Sequence, residues 1–158
     1  MKEKIIVGMS GGVDSAVASA ILKEEGFEVE GLFMKNWEED SEFCFSEQEY
    51  KDALQVCDKL NIPLRSVNFS KQYWDRVFKY FLKEYQNGRT PNPDILCNTE
   101  IKFKEFYNYA IALGAQRIAT GHYVKKKTQN ENVLLIKGND HLKDQSYFLH
   151  RLNQKQIS

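Results

Sequence analysis

The chain has 158 residues, with 22 Lys and Arg against 22 Asp and Glu, 42% hydrophobic and 13% aromatic residues, 9 Gly and 3 Pro. These values describe one ordinary globular domain and exclude collagen, a coiled coil and bulk disorder, while zero net charge argues against a protein that coats polyanions wholesale. The widely spaced Cys44, Cys57 and Cys97 fit neither a disulfide framework nor a CxxC metal clamp, so a reducing, cytoplasmic setting is expected, with no run approaching the roughly 20 apolar residues of a membrane span.

Ile5-Ile6-Val7 is a β-branched run closed by Gly8-Met9-Ser10-Gly11-Gly12, after which Val13, Ala16, Val17, Ala20 and Ile21 recur at helical spacing. Gly26 supplies a stop, and residues 27–34 alternate as a second strand, giving a βαβ opening. Ser46 and Glu49 form a capping box ahead of the helical face Tyr50, Ala53, Leu54, Cys57 and Leu60, which places Cys57 in the core. Residues 64–68 read as a third strand, and Ser70 opens a helix with the apolar stripe Trp74, Val77, Phe78, Phe81, Leu82 and Tyr85, ended by Gly88.

The two prolines of Arg89-Thr90-Pro91-Asn92-Pro93-Asp94 predict a loop over these residues. Asn98 is then expected to cap a helix carrying Phe103, Phe106, Ala110 and Leu113, with a fourth strand at 117–120. Residues 123–125 and 133–136 flank a polar turn and are expected to add a hairpin to the sheet. Asn153 and Gln156 resemble a further helix cap, and the chain stops within a turn of it, so a domain truncated at this end is expected over residues 1–158, with no internal boundary. The alternation of strands and helices predicts an α/β fold, a doubly wound, mainly parallel sheet.

Charge is segregated along the chain. Residues 35–50 hold Glu38, Glu39, Asp40, Glu42, Glu47 and Glu49 against Lys35 alone, whereas residues 115–158 are net basic and suited either to phosphate or to an ordinary solvated face. Ser10-Gly11-Gly12-Val13-Asp14-Ser15 sits at the first strand-to-helix junction. Glycines there let backbone N–H groups approach an anion, and the helix start adds partial positive charge, so phosphate is the expected guest. Neither a Walker sequence nor a dinucleotide fingerprint is present, and a purely structural glycine turn is the alternative. Asp14, a carboxylate at that loop, is a candidate to help hold a metal.

The hexapeptide resembles the SGGxDS loop of the N-type ATP pyrophosphatases (PP-loop enzymes), which cleave ATP between its α and β phosphates and adenylate a substrate carbonyl oxygen. The resemblance narrows with Arg89 to Asn98, Met34-Lys35-Asn36-Trp37, Ile101 to Lys104, Ala119 to Tyr123 and Lys143 to Leu149: over its whole length the chain is similar to the tRNA-specific 2-thiouridylases. The resemblance implies an adenine nucleotide α-hydrolase-like fold and ATP with Mg²⁺ at Gly8, Met9, Ser10, Gly11, Gly12, Val13, Asp14, Ser15, Met34 and Gly121. It places Asn92, Pro93 and Asp94 against a wobble uridine of tRNA, and Lys143, Asp144 and Gln145 in further tRNA contacts.

It also makes Cys97 the match to the family's nucleophile. A helix start at Asn98 would lower the thiol pKa of Cys97, although a single cysteine also fits a small buried hydrophobe. Asp94, three residues earlier, suits a general acid or base or an Asx turn, and Asp144 suits a helix cap equally well. The family's second catalytic cysteine, which accepts sulfur from a persulfide-relay partner, has no counterpart: Cys44 reads as a loop thiol and His122 has no assigned role. The chain alone is therefore expected to hold the adenylating part only. Another adenylating ligase and a non-catalytic ATP- or tRNA-binding fragment are the rival readings.

Overall fold

The computed structural model describes residues 2–37 and 45–157. Cys44, the acidic residues Glu38, Glu39, Asp40 and Glu42, and the Ser46 side chain of the expected capping box lie outside the described residues.

Four parallel strands, β1 (Lys4–Met9), β2 (Glu28–Lys35), β3 (Leu64–Asn68) and β4 (Arg117–Ala119), form a sheet in the order β3-β2-β1-β4. β1 is central because its Ile5, Ile6, Val7 and Met9 are all buried, as a strand covered on both faces requires. α1 (Val13–Glu24) and α2 (Phe45–Leu60) cover one face. There Ile5, Val7, Met9, Val29 and Phe33 pack with Ala53 and Cys57. Cys57 is fully buried, and burial pushes its thiol up to about 11.

The other face carries Ile6 and Leu32 against Val77, Ile101, Phe106 and Ala110, from two long helical runs. The first joins α3 (Ser70–Tyr73), a π segment (Trp74–Phe78) and α4 (Lys79–Gln86). The second joins α5 (Pro93–Leu96), a π segment (Cys97–Phe106) and α6 (Tyr107–Ala112). Among the described residues no helix is long and apolar enough to cross a membrane.

Several expectations need correcting. α1 turns Ser15 and Ser19 inward and leaves Val13 75%, Val17 48% and Ile21 49% exposed. The serines win because they are small enough for close approach to β1 and satisfy their own hydroxyls: Ser19 donates to the Ser15 carbonyl at 2.9 Å, and Ser15 to that of Gly12 at 3.1 Å. The stripe of the first long run is likewise buried only at Val77, with Trp74, Leu82 and Tyr85 exposed.

The hairpin forms as β5 (Val124–Gln129) and β6 (Asn132–Lys137), turning at Asn130 and Glu131 with positive φ as a two-residue turn requires. It does not extend the sheet; the two strands make a separate sheet of their own. α7 (Ser146–Leu149) and α8 (Gln154–Ile157) follow. Asn153 and Gln156 cap α8 reciprocally, each side chain accepting the other's backbone N–H at 3.0 and 3.1 Å.

A buried charge stands in β2. Glu30, 5% exposed, pairs with Lys4 at 2.8 Å and with Arg65. Burial pushes the Glu30 carboxyl upward, but the hydrogen bonds from Lys4 and Arg65 outweigh it and hold the group below the usual range. Glu30→Gln is expected to destabilise the full-length protein by about 2 kcal/mol, less than a wholly buried pair costs because Arg65 relaxes into water. A depressed carboxylate stabilises above its ordinary pKa and loses that contribution as pH falls through the lowered one. Urea unfolding should therefore show the gap between wild type and Glu30→Gln at neutral pH and see it close in acid; a gap independent of pH contradicts the assignment.

Candidate functional site

The strand order reverses between β1 and β4, and the crevice at the carboxyl ends of such neighbours is where open α/β sheets bind ligands. The loop Ser10-Gly11-Gly12 leaves β1 there and enters α1 with Gly12 as its N-cap. It is braced from within. Ser10 and Ser15 hydroxyls lie 3.2 Å apart, and Gly12 N–H donates to Ser10 Oγ at 3.3 Å. The N–H groups of Val13, Asp14 and Ser15, in the first turn, have no intrahelical acceptors, the condition under which a helix start can take an anion.

Two glycines are fixed by geometry. Gly11 has φ +75°, and a Cβ on it would lie 2.6 Å from the carbonyl oxygen of Glu49. Gly121 follows β4 so closely against α1 that a Cβ there would lie 2.8 Å from the backbone of Asp14 and Ser15. It thus seats the β4 loop on the start of α1. Gly8 lies within β1, where an added Cβ would find Met34 and Phe106 at 3.6 Å, so Met34 borders the same crevice.

Lys143 folds back onto this loop, while its neighbours Asp144 and Gln145 bond elsewhere. Lys143 Nζ donates to Asp14 at 2.7 Å and sits 4.2 Å over the Tyr123 ring, whose hydroxyl also donates to Asp14 at 3.2 Å. The Lys143 hydrogen bond holds the Asp14 carboxyl below its ordinary range and raises the Lys143 ammonium above its own. Gln145 accepts the Tyr123 N–H at 2.8 Å, and Asp144 accepts the Ser146 N–H at 2.9 Å at the start of α7, the capping role left open by the sequence. Tyr123 is a participant that sequence reasoning missed; it lies 109 residues from Asp14, and no spacing pattern signals the contact.

The Pro-Asn-Pro-Asp segment departs from expectation. Asn92, not Asn98, caps the helical run: its Oδ1 accepts from Asp94 N–H at 3.0 Å and Ile95 N–H at 3.4 Å, with Pro93 in the first turn, where its missing N–H costs nothing. The expected loop therefore ends at Asn92, and Pro93 and Asp94 are helical. Asn98 lies inside the run, 3% exposed, and its amide donates to the Phe148 carbonyl of α7 at 3.2 Å.

Cys97 is accordingly not at a helix start, and its expected low pKa is not met. Burial pushes the thiol up and the Asp94 carboxylate adds to the rise, while Lys102 pulls the other way. Asp94 and Cys97, three apart on a helix, share a face. Tyr73 joins them: burial raises its phenol, and the charges of Cys97 and Asp94 raise it further. Met34, Tyr73, Leu96 and Cys97 all pack on one core cluster, so the thiol and the Met34 side of the crevice lie on the same face of the sheet. Asp94→Asn should lower the Cys97 pKa and speed its alkylation by iodoacetamide at pH 8, read by peptide mass mapping; an unchanged or slower rate contradicts the coupling.

His122 is neutral, its imidazole pushed down to about 4 by burial and by Lys102, with Nδ1 2.7 Å from the Thr120 hydroxyl. Among the described residues no three His, Cys, Asp or Glu side chains gather as a metal site. Asp14 is the carboxylate of the loop and is already paired, so the donor set fits Mg²⁺ only as an ion carried largely by nucleotide phosphates and water.

The parallel sheet flanked by helices is an α/β fold of the PP-loop type. Two solved structures share it: the U34-tRNA thiolase NcsA from Methanococcus maripaludis (22% identical, TM-score 0.56, covering 76% of this chain and 38% of that one) and a predicted subunit of tRNA methyltransferase from Methanocaldococcus jannaschii (16%, TM-score 0.53, 94% and 63%). Residues 3–158 match the family described as tRNA methyl transferase HUP domain, and the chain belongs to that family. Curated relatives are named tRNA-specific 2-thiouridylase MnmA. The protein of that name from Legionella pneumophila strain Lens is 59% identical over 160 residues, and that from Methylobacillus flagellatus 60% over 160. Each match covers 100% of this chain and 44% of the relative, so the chain spans less than half the length of the curated relatives it matches.

Proposed function

We propose that this chain is the ATP-binding and adenylating part of a cytoplasmic tRNA-uridine 2-sulfurtransferase, folded as one PP-loop domain. The observation that carries the reading is the pairing of a glycine loop at the strand-order reversal with Asp94 and Cys97 on one helical face, Cys97 packing on the same core cluster as Met34. The family's description refers to methyl transfer. A phosphate-binding loop together with a thiol favours adenylation and sulfur transfer, in keeping with the names of the curated relatives.

In this reading the residues Gly8 to Ser15, with Met34 and Gly121, bind ATP, and Mg²⁺ accompanies its phosphates. Asn92, Pro93 and Asp94 meet the wobble uridine, and Lys143, Asp144 and Gln145 contact tRNA. These last three now hold Asp14, Ser146 and Tyr123, so RNA engages them by exchanging those partners.

The uridine 2-carbonyl oxygen attacks the α-phosphorus and pyrophosphate leaves. The outer sulfur of a persulfide, carried on the family's second catalytic cysteine after a relay protein has loaded it, attacks C2, and AMP departs with the oxygen. The Cys97 thiolate attacks the inner persulfide sulfur, so the S–S bond breaks, the outer sulfur stays on the uridine as the thiocarbonyl, and a disulfide to Cys97 forms. Asp94 takes and returns the protons of these steps.

The test uses full-length protein, ATP, a persulfide donor and tRNA bearing an unmodified wobble uridine. Formation of 2-thiouridine, read by mass spectrometry of nucleosides, is expected. An amidated product made with ammonia would replace this reading with another adenylating ligase, and tRNA binding without any AMP release would replace it with a non-catalytic module.

A further inference from the structure

At the carboxyl end of β2, Asn36 and Trp37 line a cavity of about 370 Å³ together with Ser70, Lys71 and Trp74. The Asn36 Oδ1 is buried and accepts no hydrogen bond among the described residues, so a turn of its amide into the cavity would let it meet a donor seated there. Two indoles stand beside it, Trp37 38% and Trp74 42% exposed, with ring centroids 6.0 Å apart and tilted by 46°. Behind them Phe78 packs at 4.8 Å from Trp37 and 5.1 Å from Trp74, which fixes both rings in place. The cavity also adjoins the thiol site. Tyr73 meets Trp37 edge to face at 6.1 Å and packs, like Cys97, against the same core cluster on that face of the sheet.

Planar aromatic faces, an unpaired acceptor at their edge and an ammonium group are together the chemistry that recognises an unstacked nucleobase. The rings stack on its face, Asn36 Oδ1 accepts from an exocyclic amine or ring N–H, and Lys71 meets a neighbouring phosphate. We propose that the Asn36–Trp37–Trp74 cavity takes a base of the RNA substrate flanking the target uridine and holds it unstacked while the uridine reaches Asp94 and Cys97. The inference rests on the reading of the substrate as tRNA, and it commits to RNA because the cavity borders the thiol site through Tyr73. The adenine of ATP is the competing occupant.

The experiment measures binding of an anticodon stem-loop RNA with unmodified wobble uridine to the full-length protein by fluorescence anisotropy, with ATP affinity measured in parallel. Trp74→Ala is expected to weaken RNA binding about 5- to 100-fold and Trp74→Phe to restore most of it, since stacking survives in the phenyl ring. Asn36→Leu, which keeps the side-chain volume but removes the acceptor, should weaken RNA binding about tenfold. ATP affinity should stay within about twofold of wild type in all three. Single abasic substitutions along the loop should reveal one position, other than the wobble, that weakens wild type as Trp74→Ala does and adds nothing in the Trp74→Ala protein. RNA affinity unchanged in both Trp74→Ala and Asn36→Leu, additivity at every abasic position, or ATP affinity falling in step with RNA affinity would each overturn the proposal. Wild-type protein that fails to bind the RNA would overturn the tRNA reading with it, whereas intact wild-type binding with indifferent variants removes the cavity's role alone.

Discussion

Cys97→Ser in the full-length protein is expected to lower 2-thiouridine formation by at least about a thousandfold while tRNA-dependent release of AMP and pyrophosphate persists. A hydroxyl fills the space of the thiol but cannot open a sulfur–sulfur bond, so the loss falls on the sulfur step and not on the adenylating one. The surroundings of Cys97 make the separation clean. The thiol is half-buried, and that burial raises its pKa. Nucleoside mass spectrometry beside labelled AMP release separates the two steps. Equal loss of both would place Cys97 in adenylation or in folding, and equal retention would remove it from the mechanism.

Gly11→Ala is expected to be the most damaging small substitution in the phosphate loop. The left-handed backbone at φ +75° costs an alanine roughly 1–2 kcal/mol. The added Cβ, 2.6 Å from the Glu49 carbonyl, also forces the loop away from α2. Both effects displace the N–H groups that face phosphate, so ATP affinity should fall at least about tenfold, measured by calorimetry. Gly26→Ala is the control. It too has positive φ, at 91°, but nothing lies within 4 Å of its Cβ and it stands away from the loop, so it should lose stability without a specific loss of ATP binding. ATP binding reduced equally by both would contradict the role of the Gly11 contact.

The sheet was readable because β1 carries a continuous apolar run, residues 27–34 alternate, and the glycines at 26, 88 and 114 punctuate the helices, all with positive φ. The strand–loop–helix junction at residues 10–15 was readable for a local reason, since Ser10, Gly12 and Ser15 brace it within six residues. What could not be read depends on partners distant in sequence. Apolar periodicity in α1 selected Val13, Val17 and Ile21 for the core, whereas closeness to β1 and self-satisfied hydroxyls selected Ser15 and Ser19. Asn92 and Asn98 compete for the same cap, and Pro93 in the first turn decides for Asn92. That six-residue shift moves Cys97 from a helix start into a helix and reverses the direction of its pKa. The Asp14–Lys143–Tyr123 contact and the Glu30–Lys4–Arg65 group span 109 and 129 residues in the first case and 26 and 35 in the second, beyond any local pattern.

In the proposed function the β1–α1 loop directs cleavage of ATP between its α and β phosphates, with AMP passing to tRNA. The most direct measurement is product analysis from α-labelled ATP incubated with full-length protein, with and without tRNA bearing an unmodified wobble uridine. AMP and pyrophosphate that appear only with tRNA, and are lost in Asp94→Ala, are the predicted result. ADP and phosphate, or AMP release indifferent to tRNA, would contradict it.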